Sequence, residues 1–411
     1  MRIQIHKDDC CGCTACASSC PKKAITMKPD PLGFLYPEIN DDLCIDCGKC
    51  VRVCAFNENY KTPFKLDTIQ VYAGKHRDMK EVAKSQSGGA FVVLSDYILS
   101  QGGVVYGVGY KDHFRVAHKR ATTKKERDEF RGSKYVQSDM TGIFPLVKQD
   151  LENGLLVMFT GTPCQVAALA SYIGTGRIRE NLFLMDIVCH GVPGPFVWEE
   201  YLTYLEKKEG KELTSVNFRD KSYKGWRSHV ESFTFSYTYT YTYTYLFYSH
   251  INLRYSCGNC PFTNLNRVSD ITVSDFWGIE KSRAASMGAD NRGCSLFLVN
   301  TKKGASWFSM ANKDLDFMPV SIGECMQPQL RHPSKLHPQR AQFEKDFSEK
   351  GFAYVRRKYG DVGFRYWTKT AKKKLIKLVY PALKPIISVM ERINIAEHKY
   401  ENSINDNMAL W

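Results

Sequence analysis

Long apolar runs are missing from this sequence of 411 residues. The first residues, MRIQIHKDDC, contain no apolar core of the kind that secretory signal peptides carry. No stretch approaches the roughly 18 uninterrupted apolar residues that a membrane-spanning helix needs. We therefore expect a cytoplasmic protein, for which any contact with the inner face of the membrane is peripheral. Disorder is not expected either, because 43% hydrophobic and 24% charged residues are ordinary for a globular protein.

Two further features are absent. No G-x-G-x-x-G fingerprint stands in a strand–helix setting, which excludes a standard Rossmann dinucleotide site. A disulfide framework is not expected in a chain without a secretion signal, because the cytosol keeps thiols reduced. The chain nevertheless has 15 cysteines, and cysteines so numerous and so clustered are better explained as metal ligands.

Eight cysteines near the amino terminus form a repeated ligand motif. The first run reads C-x2-C-x2-C-x3-C-P from residue 10 to residue 21, and the second repeats the spacing from residue 44 to residue 54, with Ala55 in place of the proline. In this pattern three closely spaced thiolates hold three corners of a [4Fe–4S] cube, and the fourth reaches the neighbouring cube. The predicted ligands are Cys10, Cys13, Cys16 and Cys54 for one cube and Cys44, Cys47, Cys50 and Cys20 for the other. Structural zinc is the alternative, but zinc sites usually pair two C-x2-C knuckles across a loop.

From about residue 70 the pattern changes to alternating strands and helices. The segments LLVMFT (155–160) and LFLMDIV (182–188) indicate buried strands, and the helical segment QVAALASYI lies between them. Because two such strands form a right-handed βαβ unit, both end at the same edge of a parallel sheet, where ligands bind in open α/β folds. Cys164 follows the first strand and Cys189 follows the second, so we expect their thiols to emerge side by side.

Two more cysteines, Cys257 and Cys260, form a C-x2-C pair before Pro261. With Cys164 and Cys189 they supply the four thiolates of a third [4Fe–4S] cube, an interpretation that we favour because C-x2-C is a ligand spacing. Two alternatives stay open: buried thiols that only fill space, and a low-pKa nucleophile at Cys164, which lies at a helix start. The remaining thiols are interpreted as bystander or structural residues: Cys11, Cys294 and Cys325.

The formal net charge of +14 overstates the basic character of the chain. Each [4Fe–4S] cube with its four thiolates adds about two negative charges, so three cubes would lower the net charge to roughly +8. Much of the remaining excess lies after residue 355. We therefore expect no nucleic-acid partner.

The central motifs together resemble the family formed by the beta subunits of coenzyme F420-reducing hydrogenases and dehydrogenases. The resemblance covers roughly residues 71–325, and family members with a fused amino-terminal 2[4Fe–4S] ferredoxin module resemble the chain throughout. The matching segments are SQSGGAF (85–91), RGSKY (131–135), GTPCQ (161–165), CHGVP (189–193), CGNCPF (257–262), RVSDIT (267–272) and SDFWG (274–278).

This resemblance implies FAD, a [4Fe–4S] cluster close to it, and exchange of reducing equivalents between a hydride carrier and one-electron centres. The family includes F420-linked enzymes and relatives that reduce other substrates, such as 7-hydroxymethyl chlorophyll a reductase. Some ferredoxin-fused relatives resemble components of bacterial surface-polysaccharide gene sets. The expected substrate is a hydride carrier such as coenzyme F420, or a small molecule such as an intermediate of surface-polysaccharide synthesis. The expected partner is a redox protein or another low-potential electron donor.

Residues that suit a flavin pyrophosphate lie in two of these segments. Ser87, Gly88 and Gly89 precede an apolar helix, and the first N–H groups of a helix suit a phosphate. Arg131 and Lys134 supply positive charge for it. Glycines that only shape turns are the alternative for the first segment. The resemblance extends the FAD site to Gly161, Thr162, Pro163, Asp275 and Trp277.

We predict an α/β protein, with an α+β ferredoxin-like domain followed by an α/β domain that has a mainly parallel sheet. The predicted function is an iron–sulfur flavoprotein oxidoreductase that passes electrons between [4Fe–4S] clusters and FAD. A non-catalytic electron-relay subunit that feeds a partner enzyme is the alternative. The predicted domains are residues 1–62 (ferredoxin module), 70–152 and 153–330 (two parts of the beta-subunit-like domain, the second with the third cluster and the FAD site) and 331–411 (basic helical tail).

Two segments carry no predicted chemistry. Residues 236–245 read SYTYTYTYTY, and every odd position from Phe233 to Phe247 is aromatic, so on a strand these rings would share one face. The tail mixes lysines with apolar residues. It is interpreted as an amphipathic helix on an anionic membrane or as a solvated, partner-binding segment.

Overall fold

A computed structural model of the chain describes residues 2–4, 6–58, 60–62, 69–233, 242–362 and 367–368. The chain divides into two compact units, Met1–Phe352 and Ala353–Trp411. Within the described residues, every helix is too short or too polar to cross a membrane.

The amino-terminal module contains two copies of the same turn and helix. Helix α1 (Ala15–Ser19) follows Thr14, which has a left-handed φ of 68°, and α2 (Lys49–Val53) follows Gly48, with a φ of 71°. The repeat in the sequence is therefore also a repeat in backbone conformation. The other elements of the module are two antiparallel strands, β1 (Ile25–Pro29) and β2 (Leu35–Ile39).

The later strands form one large sheet and one short hairpin. In chain order they are β3 (Gln70–His76), β4 (Val104–Lys111), β5 (Arg115–Ala121), β6 (Val157–Gly161), β7 (Leu182–Ile187), β8 (Val216–Asn217), β9 (Ser232–Phe233), β10 (Ile271–Asp275), β11 (Ser295–Val299) and β12 (Leu315–Pro319). Strands β8 and β9 pair with each other, and the other eight described strands form a sheet in the order β12-β3-β11-β10-β7-β6-β4-β5. Its four central strands, β10, β7, β6 and β4, are parallel neighbours, and antiparallel strands flank them on both sides. This sheet confirms the predicted α/β fold class.

Helices cover both faces of the sheet. The described helices that follow the amino-terminal module are, in chain order, α3 (Met79–Lys84), α4 (Ala90–Ser100), α5 (Lys124–Asp128), α6 (Ile143–Glu152), α7 (Pro163–Ile173), α8 (Pro195–Glu209), α9 (Lys221–Lys224), α10 (Thr242–Tyr248), α11 (Lys302–Ala311), α12 (Ile322–Cys325) and α13 (Arg340–Tyr359).

Side chains of β6 alternate between two cores. Val157 and Phe159 belong to the core that contains α6 and α7, whereas Met158 belongs to the core that contains α4 and α11. Both faces of the strand are thus buried, which is why it reads as a continuous apolar run in the sequence. Ala15 and Val53 of the amino-terminal module join the first of these cores.

The sequence also predicts two helix starts: a capping box of Thr123 with Glu126, and a cap at Asp139 for a helix that runs to Gly154. The two predictions differ in outcome. The capping box of Thr123 and Glu126 is confirmed. The prediction that Asp139 caps the next helix is wrong, since α6 begins after Gly142, which has a φ of 77°. The Asp139 carboxylate instead accepts the N–H of Thr141 at 2.9 Å. A left-handed glycine therefore starts this helix in place of a side-chain cap.

The aromatic repeat does not continue as a strand. Residues 234–241 lie outside the described residues, and Thr242–Tyr248 form α10. Tyr243 and Phe247 are buried on this helix, while Tyr248 is 48% exposed. In the tail, only 367–368 are described after residue 362.

Candidate functional site

The first set of thiols comes from both amino-terminal cysteine runs. Burial, with the charges on Cys13 and Cys10 as further causes, raises the pKa of Cys54 to about 11. The same causes raise the pKa of Cys16, to which the Cys54 charge also contributes. The backbone N–H of Phe56 donates to the Cys54 sulfur. One thiol from the second run therefore lies among three from the first.

The second set lines a cavity at the surface of the module. The Ala24 N–H donates a hydrogen bond of 3.3 Å to the Cys20 sulfur, and Cys47 is exposed. Solvent or a partner therefore reaches this set more easily than the first, where Cys16 is buried. The thiols that line this cavity are those of Cys20, Cys44, Cys47 and Cys50.

A third set lines a second cavity in the α/β region. Cys164 follows β6 and Cys189 follows β7, and these parallel strands are direct neighbours, so the two thiols emerge at one edge of the sheet as predicted. Cys257 and Cys260 complete the set. Backbone N–H groups donate to all four sulfurs, in chain order from Gln165, Gly191, Val192 and Phe262.

The charges of the other three thiols of this set act on Cys189. Burial raises the pKa of Cys189, and the charges of Cys257, Cys164 and Cys260 raise it further. Burial also raises the pKa of Cys257 to about 11. Neighbouring thiols whose charges raise one another's pKa need a positive centre if they are to be thiolates together. The described part of the chain has no group of three or more His, Cys, Asp or Glu side chains arranged around a single metal ion.

Two buried residues that the sequence did not assign to any site lie between the first and third sets. The Cys11 thiol hydrogen-bonds to both Cys13 and Cys164, and it lowers the pKa of Cys164 to about 7. Arg254 donates from Nε to the Cys10 carbonyl at 2.5 Å. No spacing or composition marks Arg254, because only the fold brings it to the ferredoxin turn.

A larger cavity of about 630 Å³ lies beside the third set. It extends from the start of α4, past the loop that contains Arg131, to the carboxyl ends of β6, β7 and β10. One wall is shared with the third thiol cavity. The residues that line both cavities are Thr162, Gln165, Cys189, His190, Gly191 and Val192.

Polar atoms without a partner face the α4 end of this cavity. Ser85 Oγ, Gln86 Nε2 and Arg131 Nη1 are buried and have no hydrogen-bond partner among the described residues. Another Arg131 nitrogen pairs with Glu81, so the side chain is held in place. Burial also lowers the pKa of Lys134 to about 7. An anionic group bound here would satisfy these donors and keep Lys134 protonated.

Most of the predicted FAD-binding residues line this cavity: Ser87, Gly89, Arg131, Lys134, Gly161, Thr162, Asp275 and Trp277. The other two lie elsewhere in the described structure. Pro163 lines the third thiol cavity. Gly88 packs against the sheet, where its N–H donates to Ser295 Oγ at 2.9 Å.

Asp275 and Trp277 are held by an aromatic and cationic layer. Arg219 donates to the Asp275 carboxylate at 2.6 Å and lies 4.9 Å from the centre of the Trp277 ring. Trp226 donates to the other Asp275 oxygen at 2.6 Å and stacks on Trp277. The Asp275 carboxylate is therefore occupied by protein donors, while Trp277 is 39% exposed.

Gly88→Ala is expected to destabilise the protein because there is no room for a side chain. A Cβ there would lie 2.3 Å from the Gly74 carbonyl oxygen and 2.6 Å from the Ser295 nitrogen, both backbone atoms. Overpacking of this kind costs about 1–3 kcal/mol or more. Thermal unfolding at one scan rate tests this, with Gly176→Ala as the control, since no atom lies within 4 Å of a Cβ at Gly176. Equal midpoints for the two variants would refute the packing role.

Comparisons with known proteins give matches for the amino-terminal module and for part of the α/β region. Residues 155–321 match the family described as the carboxy-terminal region of the coenzyme F420 hydrogenase/dehydrogenase beta subunit, and residues 9–57 match the family described as "4Fe-4S dicluster domain". Residues 155–321 thus belong to the family of coenzyme F420 hydrogenase/dehydrogenase beta subunits. Its amino-terminal module is a 4Fe–4S dicluster domain. The resemblance seen in the sequence motifs is thus confirmed.

The relatives of this beta-subunit-like chain match it over different parts. The F subunit of the F420H2 dehydrogenase of Methanosarcina mazei is 24% identical over 187 residues, 43% of this chain and 51% of the relative. The chain thus spans about half the length of that relative. A ferredoxin of Alicyclobacillus acidocaldarius is 35% identical over 63 residues, 15% of this chain and 74% of the ferredoxin. A chain of the F420-reducing [NiFe] hydrogenase complex from Methanosarcina barkeri is 16% identical, with a TM-score of 0.42 over 72% of this chain and 93% of that one.

Proposed function

We propose that the chain is an iron–sulfur flavoprotein oxidoreductase in which three [4Fe–4S] cubes exchange electrons with FAD. The observation that supports this proposal best is that the third thiol cavity and the large cavity share one wall. Cys189 and the three residues that follow it line both spaces. A cube in one cavity and a flavin in the other would therefore be separated by a single layer of protein.

The proposed ligands of the cubes are the three thiol sets. The dicluster domain holds two cubes through the thiols of its two cysteine runs. The third cube is held by Cys164, Cys189, Cys257 and Cys260. The backbone N–H groups that donate to these four sulfurs support it, since hydrogen bonds to sulfur are typical of iron–sulfur sites and tune their potentials. Binding of iron also removes the cost of ionising coupled thiols, because ligating thiols are deprotonated.

The proposed FAD site is the large cavity. Its volume of about 630 Å³ lies within the usual range of ligand pockets, about 300–1,000 Å³. The unpartnered Arg131 Nη1 and Ser85 Oγ, together with Lys134, suit the pyrophosphate. FAD, when bound, exchanges single electrons with metal centres and pairs of electrons as hydride with a substrate. The chain's own residues bind and orient it, and the buried walls exclude water.

The proposed hydride partner is a carrier or small molecule that enters where the large cavity opens. Ile187, Tyr248 and Trp277 line the cavity and are each between 38% and 48% exposed, so they offer an apolar surface to a flat ring. Coenzyme F420 is one candidate, because one relative is named as part of an F420H2 dehydrogenase. The same relative is named as a subunit of a dehydrogenase, which also supports a redox protein as the electron partner.

Counting the electrons that the anaerobic holoprotein accepts tests this function. Three cubes take one electron each and FAD takes two, so a coulometric titration should give about five electrons per chain. A chain that accepts about three electrons and contains no flavin would instead be an electron-relay subunit. Alkylation-sensitive activity without redox turnover would favour Cys164 as a nucleophile.

A further inference from the structure

Arg254 is a buried cation without a carboxylate partner in the described part of the chain. Its side chain is 0% exposed. The guanidinium donates to the carbonyl oxygens of Cys10 at 2.5 Å and Leu35 at 2.8 Å, and to the amide oxygen of Gln137 at 3.0 Å. All three acceptors are neutral. Its Nη2 also lies 3.6 Å from the Cys10 sulfur.

The other buried arginines in the described residues differ in this respect, because each has a carboxylate within 4 Å. Leaving a buried charge uncompensated costs several kcal/mol, so a position such as that of Arg254 requires a counter-charge. The five pairs are Arg127–Asp96, Arg179–Asp270, Arg219–Asp275, Arg267–Asp186 and Arg340–Glu344.

The available negative charge around Arg254 is on sulfur. Its guanidinium contacts Cys10 of the first thiol set and lines the cavity of the third set. The Arg254 backbone carbonyl also accepts the N–H of Cys257, a member of the third set, at 3.0 Å. The surface cavity of the second set is lined by other residues. Arg254 is therefore placed between the first and third thiol sets and away from the second.

We propose that Arg254 is the shared counter-cation of the first and third cubes and that it sets their reduction potentials together. The inference rests on the proposed function, because it requires the third cube. Reduction by an external donor adds one electron to a cube, from [4Fe–4S]2+ to [4Fe–4S]+, and makes the cube with its thiolates more negative. A fixed cation stabilises this reduced state more than the oxidised state. Arg254 thus keeps both cubes easier to reduce.

A redox titration of the anaerobic holoprotein, followed by electron paramagnetic resonance, tests this role. In Arg254→Gln, the reduced-to-oxidised ratio of the first and third cubes at a fixed potential should fall at least tenfold, a shift of about 59 mV to more negative potential. The couple of the second cube is the internal reference and should not move. Arg254→Lys keeps the charge and should restore both couples to near their native potentials.

The matched control is Arg127→Gln, which replaces an equally buried arginine that has its own carboxylate partner. All three couples should stay unchanged in this variant. If Arg254→Gln fails to retain its cubes, Gln137→Glu gives the guanidinium a carboxylate beside Nη1, and the same two couples should become more negative.

Three outcomes would overturn the inference: unmoved couples in Arg254→Gln, an equal shift in Arg254→Lys, or an equal shift of all three couples. An iron count on each sample separates this failure from failure of the proposed function. About twelve irons per chain with unmoved couples refutes only the role of Arg254. About eight irons in the native chain refutes the third cube, and with it the shared role.

Discussion

Replacing Cys189 by alanine should lower the iron content from about twelve to about eight atoms per chain. Cys189 is one of four half-buried cysteines around the third cavity, and its sulfur faces the charges of the other three. Loss of one ligand opens a corner of the cube, so the whole cube should be lost. The amino-terminal cubes should remain, because their ligands lie in the other two thiol sets.

Cys294→Ala is the matched control for this prediction. Cys294 is fully buried, whereas Cys189 is half-buried, and it lies in the core beside β3, where its thiol bonds to the Gly74 carbonyl. Its removal should leave iron and sulfide unchanged. An unchanged iron content in Cys189→Ala would refute the third cube. The two alternatives would then remain: thiols that only fill space, or a nucleophile at Cys164.

Arg131→Met should weaken FAD binding by about tenfold to a hundredfold. The unpartnered Nη1 of Arg131 is available to a phosphate oxygen, and hydrogen bonds to charged groups contribute about 1.5–3 kcal/mol each. The side chain is 7% exposed and paired with Glu81, so it is already oriented before a ligand binds. Flavin fluorescence on adding FAD to the flavin-free, cluster-loaded chain gives the dissociation constant.

The control for the flavin prediction is Arg77→Met. Arg77 is an exposed arginine with one carboxylate partner, Asp316, and the large cavity is lined by other residues. This variant should bind FAD as the native chain does. If Arg131→Met binds FAD with the native dissociation constant, the pyrophosphate does not lie at the Arg131 loop.

The parts of the site that follow from local spacing were predictable from the sequence. Cys164 and Cys189 could be placed together because each follows an apolar run, which is typical of a parallel strand that is buried on both faces. Parallel neighbouring strands end at the same edge of the sheet. The family resemblance predicted that Asp275 and Trp277 belong to the flavin site, and both residues line the large cavity. Gly88 lies in the same motif, yet its role is packing against β3 and β11, which no local pattern reveals.

Long-range contacts account for what the sequence did not predict. Arg254 is 244 residues from Cys10, and no periodicity connects them. Cys11 was interpreted as a bystander because it is a fifth thiol in the first run, but the fold places its thiol in contact with both Cys13 and Cys164. The prediction that Asp139 caps a helix failed for a simpler reason: Gly142 and Asp139 both suit a helix start, and the glycine is used.

Iron, acid-labile sulfide and flavin measured together in one anaerobic preparation test the central claim most directly. Three cubes beside one flavin predict about twelve irons, about twelve sulfides and about one FAD per chain. A chain that contains about eight irons and no flavin after the same preparation would contradict the account.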